Sequence, residues 1–209
     1  MLVHRSSIAA DASVFVLQEL RNQLGGAHIY PVHRLDRKTS GVLIFGLRPE
    51  VAAALQQSLE TNEAEKRYLA IVRGWFPEAV EVDYALTNDA GKTQEALTHF
   101  RCLQQSEIQV PHGKHSSSRY SLIEAFPKTG RQHQIRKHLN HLRHPIIGDR
   151  PHGCNKQNKL FLERWQMNTM LLHAVSLSLP HPVLKTPLLL TAELPEEFER
   201  MLGVLKLKI

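Results

Sequence analysis

The chain has 209 residues, 42% of them hydrophobic, and a formal net charge of +6 with a pI of about 9.5. That length buries an adequate core in one domain, and the composition excludes a disordered chain. The basic balance points to an anionic partner, of which nucleic acid is the commonest large one, although a merely basic surface fits it equally. The two cysteines, Cys102 and Cys154, make neither a disulfide framework nor a zinc spacing, which favours a reducing cytoplasm. No apolar run reaches the length of a membrane span, and residues 1–5 carry no signal-peptide core.

Asp11 suits a helix N-cap, and Val14, Leu17, Leu20 and Leu24 recur at helical spacing up to Gly25-Gly26, which ends the helix. Residues 28–32 are short and β-prone. After a polar stretch at 33–40, the apolar run from Gly41 to Gly46 is bounded by glycines and predicts a buried strand. Pro49 opens a second helix, with Val51, Leu55 and Leu59 on one face. Strands are predicted at 67–73, 80–86, 96–103 and 119–126, with a polar loop at 112–118. A helix is expected from 132 to about 142, stopped by His144-Pro145. Residues 156–170 fit neither periodicity, and Leu160, Leu162 and Trp165 are their core candidates. Strands at 171–179 and 188–192 follow, and Pro195 opens a terminal helix to 202. Strands dominate and connections are short, so the expected fold is one α+β domain over residues 1–209, a mainly antiparallel sheet flanked by helices.

Within residues 31–41 a single carboxylate, Asp36, stands among Arg34, Arg37 and Lys38. Such neighbours favour its ionised form, and a fixed carboxylate serves as nucleophile or base. A surface turn of local ion pairs fits the same residues equally well. Taken alone, Tyr68 reads as an ordinary strand aromatic. From 128 to 156 there are seven cations (Lys128, Arg131, Arg136, Lys137, Arg143, Arg150, Lys156) and one acid, Asp149. That stretch would neutralise phosphates and make binding salt-dependent, and Ile135 with Leu139 gives its helix a core face opposite the charges. His133, His138, His141, His144 and His152 raise the question of a metal. No His-Glu-x-x-His pattern accompanies them, so no metal is assigned.

The string His33-Arg34-Leu35-Asp36, then Thr39-Ser40-Gly41, resembles the signature loop of the RluA-type pseudouridine synthases. Lys66 to Gly74 resembles the family's next motif. Residues 128–139, continued by 144–149, resemble the third, and Leu171-Leu172-His173-Ala174 a family strand. The resemblance covers residues 2 to about 202. It implies that Asp36 is the indispensable catalytic residue, that Arg34 helps to extrude the target base, that Tyr68 stacks on uracil and assists proton removal from C5, and that Arg136 pairs with Asp36. It implies no cofactor, because the reaction is an isomerisation without redox change. The active-site cleft should be lined by the Asp36 loop, Tyr68 and Arg136, with Arg131, Lys137 and Arg143 as further RNA contacts. Segments 4–6, 96–101 and 141–149 resemble the branch of the family that modifies uridine 65 of tRNA. The expected partner is therefore RNA, and tRNA first, met by a monomer. A ribosomal RNA synthase and a silent RNA-binding module are the rivals. Family members carry a strand and a Lys-Pro-x-Gly turn before the equivalent of Leu2-Val3-His4. The further expectation is that this chain lacks them and leaves a neighbouring strand exposed as an edge.

Overall fold

A computed structural model describes residues 16–61 and 63–209. In chain order the elements are α1 (Val16–Gln23), β1 (Tyr30–Pro31), β2 (Ser40–Gly41), β3 (Phe45–Gly46), α2 (Pro49–Glu60), β4 (Glu65–Arg73), β5 (Ala79–Asp83), β6 (Leu86–Thr87), β7 (Thr93–Gln94), β8 (Leu97–Ile108), β9 (Ser118–Pro127), α3 (Gln134–His141), α4 (Asn155–Trp165), β10 (Leu172–Pro180), β11 (Pro187–Thr191) and α5 (Glu196–Val204). The strand start expected near residues 2–4 and the N-cap expected at Asp11 lie outside the described residues, as does Val14.

Among the described residues the main sheet runs β11-β10-β4-β9-β8-β5, every pair antiparallel, and β2 joins β10 in parallel. The expected α+β architecture is therefore the observed one. Side-chain alternation divides the core between the sheet's two faces. Leu69, Ile71, Tyr120 and Leu122 face one side, where Phe161 of α4 and Phe198, Met201 and Leu202 of α5 cover them. Ala70, Val72, Ile123 and Ala125 face the other, under Ile135 and Leu139 of α3. A third cluster joins Ala52 and Leu55 of α2 to Val32, Leu177 and Leu179. The helix face holding Leu55 is thus the one the sequence predicts.

The apolar run 41–46 is not one strand. Gly41 pairs with Ala174, whereas Phe45 and Gly46 pair with β1. Gly41 has φ +114°, and a Cβ there would lie 2.1 Å from the Ala174 carbonyl oxygen. Only glycine permits this turn at so close a backbone approach, and it redirects the chain so that Val42 and Ile44 pack on the α2 cluster.

The strand expected at 80–86 ends at Asp83, and a hairpin of β6 and β7 follows. Its turn is organised by Asn88, whose Oδ1 accepts hydrogen bonds from the Ala90 and Lys92 amides at 3.0 and 2.9 Å. Strand β8 runs on to Ile108 across a bulge at 102–104, through polar residues that hid it from the alternation pattern. In the ambiguous stretch 156–170, Asn155–Trp165 is helical. Leu160 and Trp165 pack on the core as expected, but Leu162 is exposed and Phe161 is the buried anchor.

Candidate active site

A cleft of about 1000 Å³ opens on the α3 face of the sheet. Its walls are the loop from Val32 to Thr39, Lys66 and Tyr68 on β4, and the segment from Pro127 to Arg136 that leads into α3. The cleft thus brings together Arg34, Asp36, Tyr68, Arg131 and Arg136 from segments far apart in sequence. Lys137 and Arg143 are not among its lining residues.

The loop is pinned along its length. The Val32 amide donates to the Ile44 carbonyl, and the Ile44 amide donates to His33 Nε2, both at 3.2 Å. Accepting there requires an unprotonated Nε2. Burial, with a smaller push from Lys66, takes the His33 pKa down to about 4 against a hydrogen bond to the Arg34 backbone, so the ring stays neutral in that role. The Thr39 amide closes a turn onto the Asp36 carbonyl at 2.9 Å, and Lys38, with φ +71°, reaches the Asn168 carbonyl. The Ser40 hydroxyl meets His173 Nδ1 at 2.8 Å, and His173 Nε2 donates to the Ala192 carbonyl at 3.2 Å. His173 is therefore the clasp where the loop joins β10, buried and paired on both sides, with Ser40 of β2 and Leu69 of β4.

Asp36 is turned toward Arg136 of α3, whose Nη1 donates to Asp36 Oδ2 at 3.0 Å. Of the cations beside it in sequence, Arg34 is exposed at the cleft rim and Lys38 points to the Asn168 carbonyl. Arg136 is itself held from behind. Its Nε and Nη2 donate to the two carboxylate oxygens of Asp149 at 2.8 and 2.9 Å, a bidentate pair. Exposure falls in order along this chain, from 25% for the Asp36 side chain to 4% for Arg136 and 1% for Asp149. Burial pushes the Asp149 carboxyl up, but the Arg136 hydrogen bonds, joined by the His152 amide, outweigh it and hold it below the ordinary carboxylate value. Arg136 is raised by the same pairing in spite of its own burial.

Asp149 is placed by a turn that demands glycine. Gly148 has φ +84°, and a Cβ there would sit 1.8 Å from the Thr169 carbonyl oxygen. Asn158 of α4 seals the turn, accepting from the Gly148 amide at 2.8 Å and donating to the Asp149 carbonyl at 2.6 Å. The sequence carried a signal for this residue. A lone acid among seven cations is where a buried counter-ion is to be sought.

Tyr68 lies across the cleft, on the face of β4 packed against the α3 core. Burial, and then the charge of Asp36, raises its phenol to about 12, so it keeps its proton in the neutral range. His133, which the sequence raised only in the question of a metal, is a further lining residue. It caps α3 in the left-handed region at φ +56°, with Nε2 4.0 Å from Asp36 Oδ1 and Nδ1 2.9 Å from His152 Nε2. Burial lowers its pKa. The other histidines go separate ways: His138 bonds Thr98 and the Tyr84 carbonyl, His141 stacks on Tyr84, and His144 bonds the Arg73 carbonyl. Arg131 Nε donates to the Glu95 carbonyl at 2.9 Å, and Lys137 to that of Thr87 at 3.1 Å. Arg143 is exposed beyond α3.

An antiparallel sheet carrying a basic cleft, with a carboxylate and an arginine at its floor and a tyrosine in its wall, defines a class that comparison makes specific. The family described as RNA pseudouridylate synthase matches residues 1–141, and the chain belongs to it. Among similar proteins is the tRNA pseudouridine synthase C of Vibrio cholerae, 43% identical over 97% of this chain and 87% of that protein. That of Salmonella typhimurium is 43% identical over 96% of this chain and 81% of its own. Among solved structures, the human RNA pseudouridylate synthase domain containing 4 superposes with a TM-score of 0.75 at 28% identity, covering 95% of this chain and 86% of that one.

Proposed function

We propose that the protein isomerises uridine to pseudouridine in tRNA, with uridine 65 as its target. The observation that carries the catalytic reading is the Asp149–Arg136–Asp36 chain, which fixes one carboxylate at the floor of a cleft opposite Tyr68. The reaction breaks the bond from N1 to C1′, turns the uracil, and forms the bond from C5 to C1′. The C5 proton is lost and N1 gains one. Asp36 acts on the ribose, at C1′ as nucleophile or at C2′ as base. Arg136 holds one of its oxygens and leaves the other toward the cleft. The target base leaves the stack to reach it, as bases do in other enzymes that act on them. Arg34, exposed at the rim, takes the vacated place, and Tyr68 covers the everted ring.

The tRNA reading is supported by relatives described as tRNA pseudouridine synthase C. Arg131, Lys137 and Arg143 would add phosphate contacts along the RNA. We further propose that the protein works in the cytoplasm as a monomer without metal or cofactor. Among the described residues no helix is long and apolar enough to cross a membrane. Incubating the purified protein with unmodified tRNA transcripts and with ribosomal RNA fragments, then mapping pseudouridine, tests the proposal. Product at tRNA position 65 is expected. Product confined to ribosomal RNA overturns the tRNA assignment, and its absence from every RNA overturns the enzyme.

A further inference from the structure

Lys66 is a half-buried cation with no role in the chemistry above. It stands two residues before Tyr68 on β4, so both side chains leave the strand on the same side, and both line the cleft. Across from it is the turn Thr129-Gly130-Arg131. A Cβ built on Gly130 would meet the Lys66 ammonium at 4.0 Å and nothing nearer, so the turn leaves room against that ammonium. Its charged neighbours are Arg131 and Lys128, which, after burial, pull its pKa below the ordinary lysine value. Among the described residues no carboxylate pairs with Lys66, although Glu60 lines the same cleft.

The opposing turn is rigidly built. Gln134, itself buried, accepts from the Thr129 hydroxyl at 2.7 Å and from the Arg131 amide at 3.0 Å. Its amide nitrogen donates to the Leu97 carbonyl and the Thr98 hydroxyl at 3.0 and 2.9 Å. Arg131 is steered by its bond to the Glu95 carbonyl. Cations packed together without a counter-ion repel one another, and an arriving anion relieves that repulsion.

We propose that Lys66 and Arg131 form a phosphate site on the cleft wall beside Tyr68, which receives a backbone phosphate of the nucleotide whose base is everted. This rests on the reading of the cleft as an RNA-modifying site, and it adds a contact that fixes the ribose over Asp36. The site is distinct from general surface attraction because it sits inside the cleft, one side-chain step from the stacking ring.

The test uses Lys66→Gln and Lys66→Arg in the full chain. Affinity for an unmodified tRNA transcript is measured across a salt series, together with thermal midpoint and pseudouridine yield. Lys66→Gln is expected to flatten the log–log salt dependence by about 0.7 to 0.9, the value of one lost phosphate contact, and Lys66→Arg to restore it. Because the substitution also removes a like-charge repulsion, the Gln variant should melt no lower than the wild type. Replacing single phosphates flanking the target uridine by neutral methylphosphonates should weaken wild-type binding at one position and cost the Gln variant less there, since only the Arg131 contact remains to be lost. A Gln variant with wild-type affinity and slope, or methylphosphonates that penalise both proteins equally at every position, overturns the phosphate site. If the wild type makes no pseudouridine in any RNA, the parent reading fails, and the two salt slopes still decide whether Lys66 holds a phosphate.

Discussion

Two arginine–carboxylate clusters lie on opposite faces of the same sheet with inverse composition. On the α4 and α5 face, one carboxylate is held by two arginines. Glu124 of β9 is fully buried, at 2.5 Å from Arg67 Nε and 2.7 Å from Arg101 Nε, and Arg101 is 61% exposed. On the cleft face, one arginine is held by two carboxylates, and there the exposed end is an acid, Asp36. In the first cluster the groups reaching water are the two arginine side chains. In the second it is a carboxylate with an oxygen left over. The same chemistry thus makes a closed clamp across three strands in one place and an open, positioned acid in the other.

Replacements should separate the two. Asp36→Asn removes the open acid at nearly constant shape and should cut pseudouridine formation by about a thousandfold or more, with little change in melting, since Arg136 keeps Asp149. Arg136→Met should damage both activity and stability. It leaves Asp149 buried without its partner, a loss on the order of 3–5 kcal/mol readable by denaturant titration.

Acid should act through the buried histidines, His173 on β10 among them. His33, His133, His138 and His152 all have lowered pKa values, with burial the leading cause in each. Groups held neutral by folding bind more protons when unfolded, so stability is complete above the unfolded value near 6.5 and is lost as pH falls toward the folded one. For His33 that window runs from 6.5 down to about 4, and its contribution is at most about 3 kcal/mol. Denaturation midpoints followed from pH 7 to pH 4 should fall steadily; a flat profile would contradict the neutral acceptor role of His33.

Glu124→Gln should cost on the order of 2 kcal/mol, because charge-assisted hydrogen bonds are lost while partly exposed arginines remain solvated. Its turnover at a permissive temperature should stay close to wild type. Tyr68→Ala should weaken RNA binding by about 1–3 kcal/mol through lost stacking, and Tyr68→Phe should not. The turnover of the Phe variant then reads the hydroxyl alone.

Much of this arrangement was legible before the fold was known, and the gaps have physical causes. Alternation in β4 and β9 and the 3.6-residue spacing in α2 are local, so those elements were read correctly. The run 41–46 misled because its strand character is broken by the approach of Gly41 to Ala174, a contact 133 residues away in sequence that no local pattern encodes. The β6–β7 hairpin was missed although Asn88 and Gly91 marked its turn. In the site, the segments lining the cleft were legible as motifs. That Asp149 stands behind Arg136, and that His33 serves as a neutral acceptor, depended on side-chain placement across elements. Lys137 and Arg143, read from the sequence as RNA contacts, lie outside the residues that line the cleft.

One assay sets the two clusters against each other. Single-turnover pseudouridine formation on an unmodified tRNA transcript is measured for Asp36→Asn and Glu124→Gln side by side, at a temperature where both are folded. No detectable product is expected from Asp36→Asn, and a near wild-type rate from Glu124→Gln. Substantial turnover by Asp36→Asn, with its fold verified, would contradict the catalytic role of Asp36.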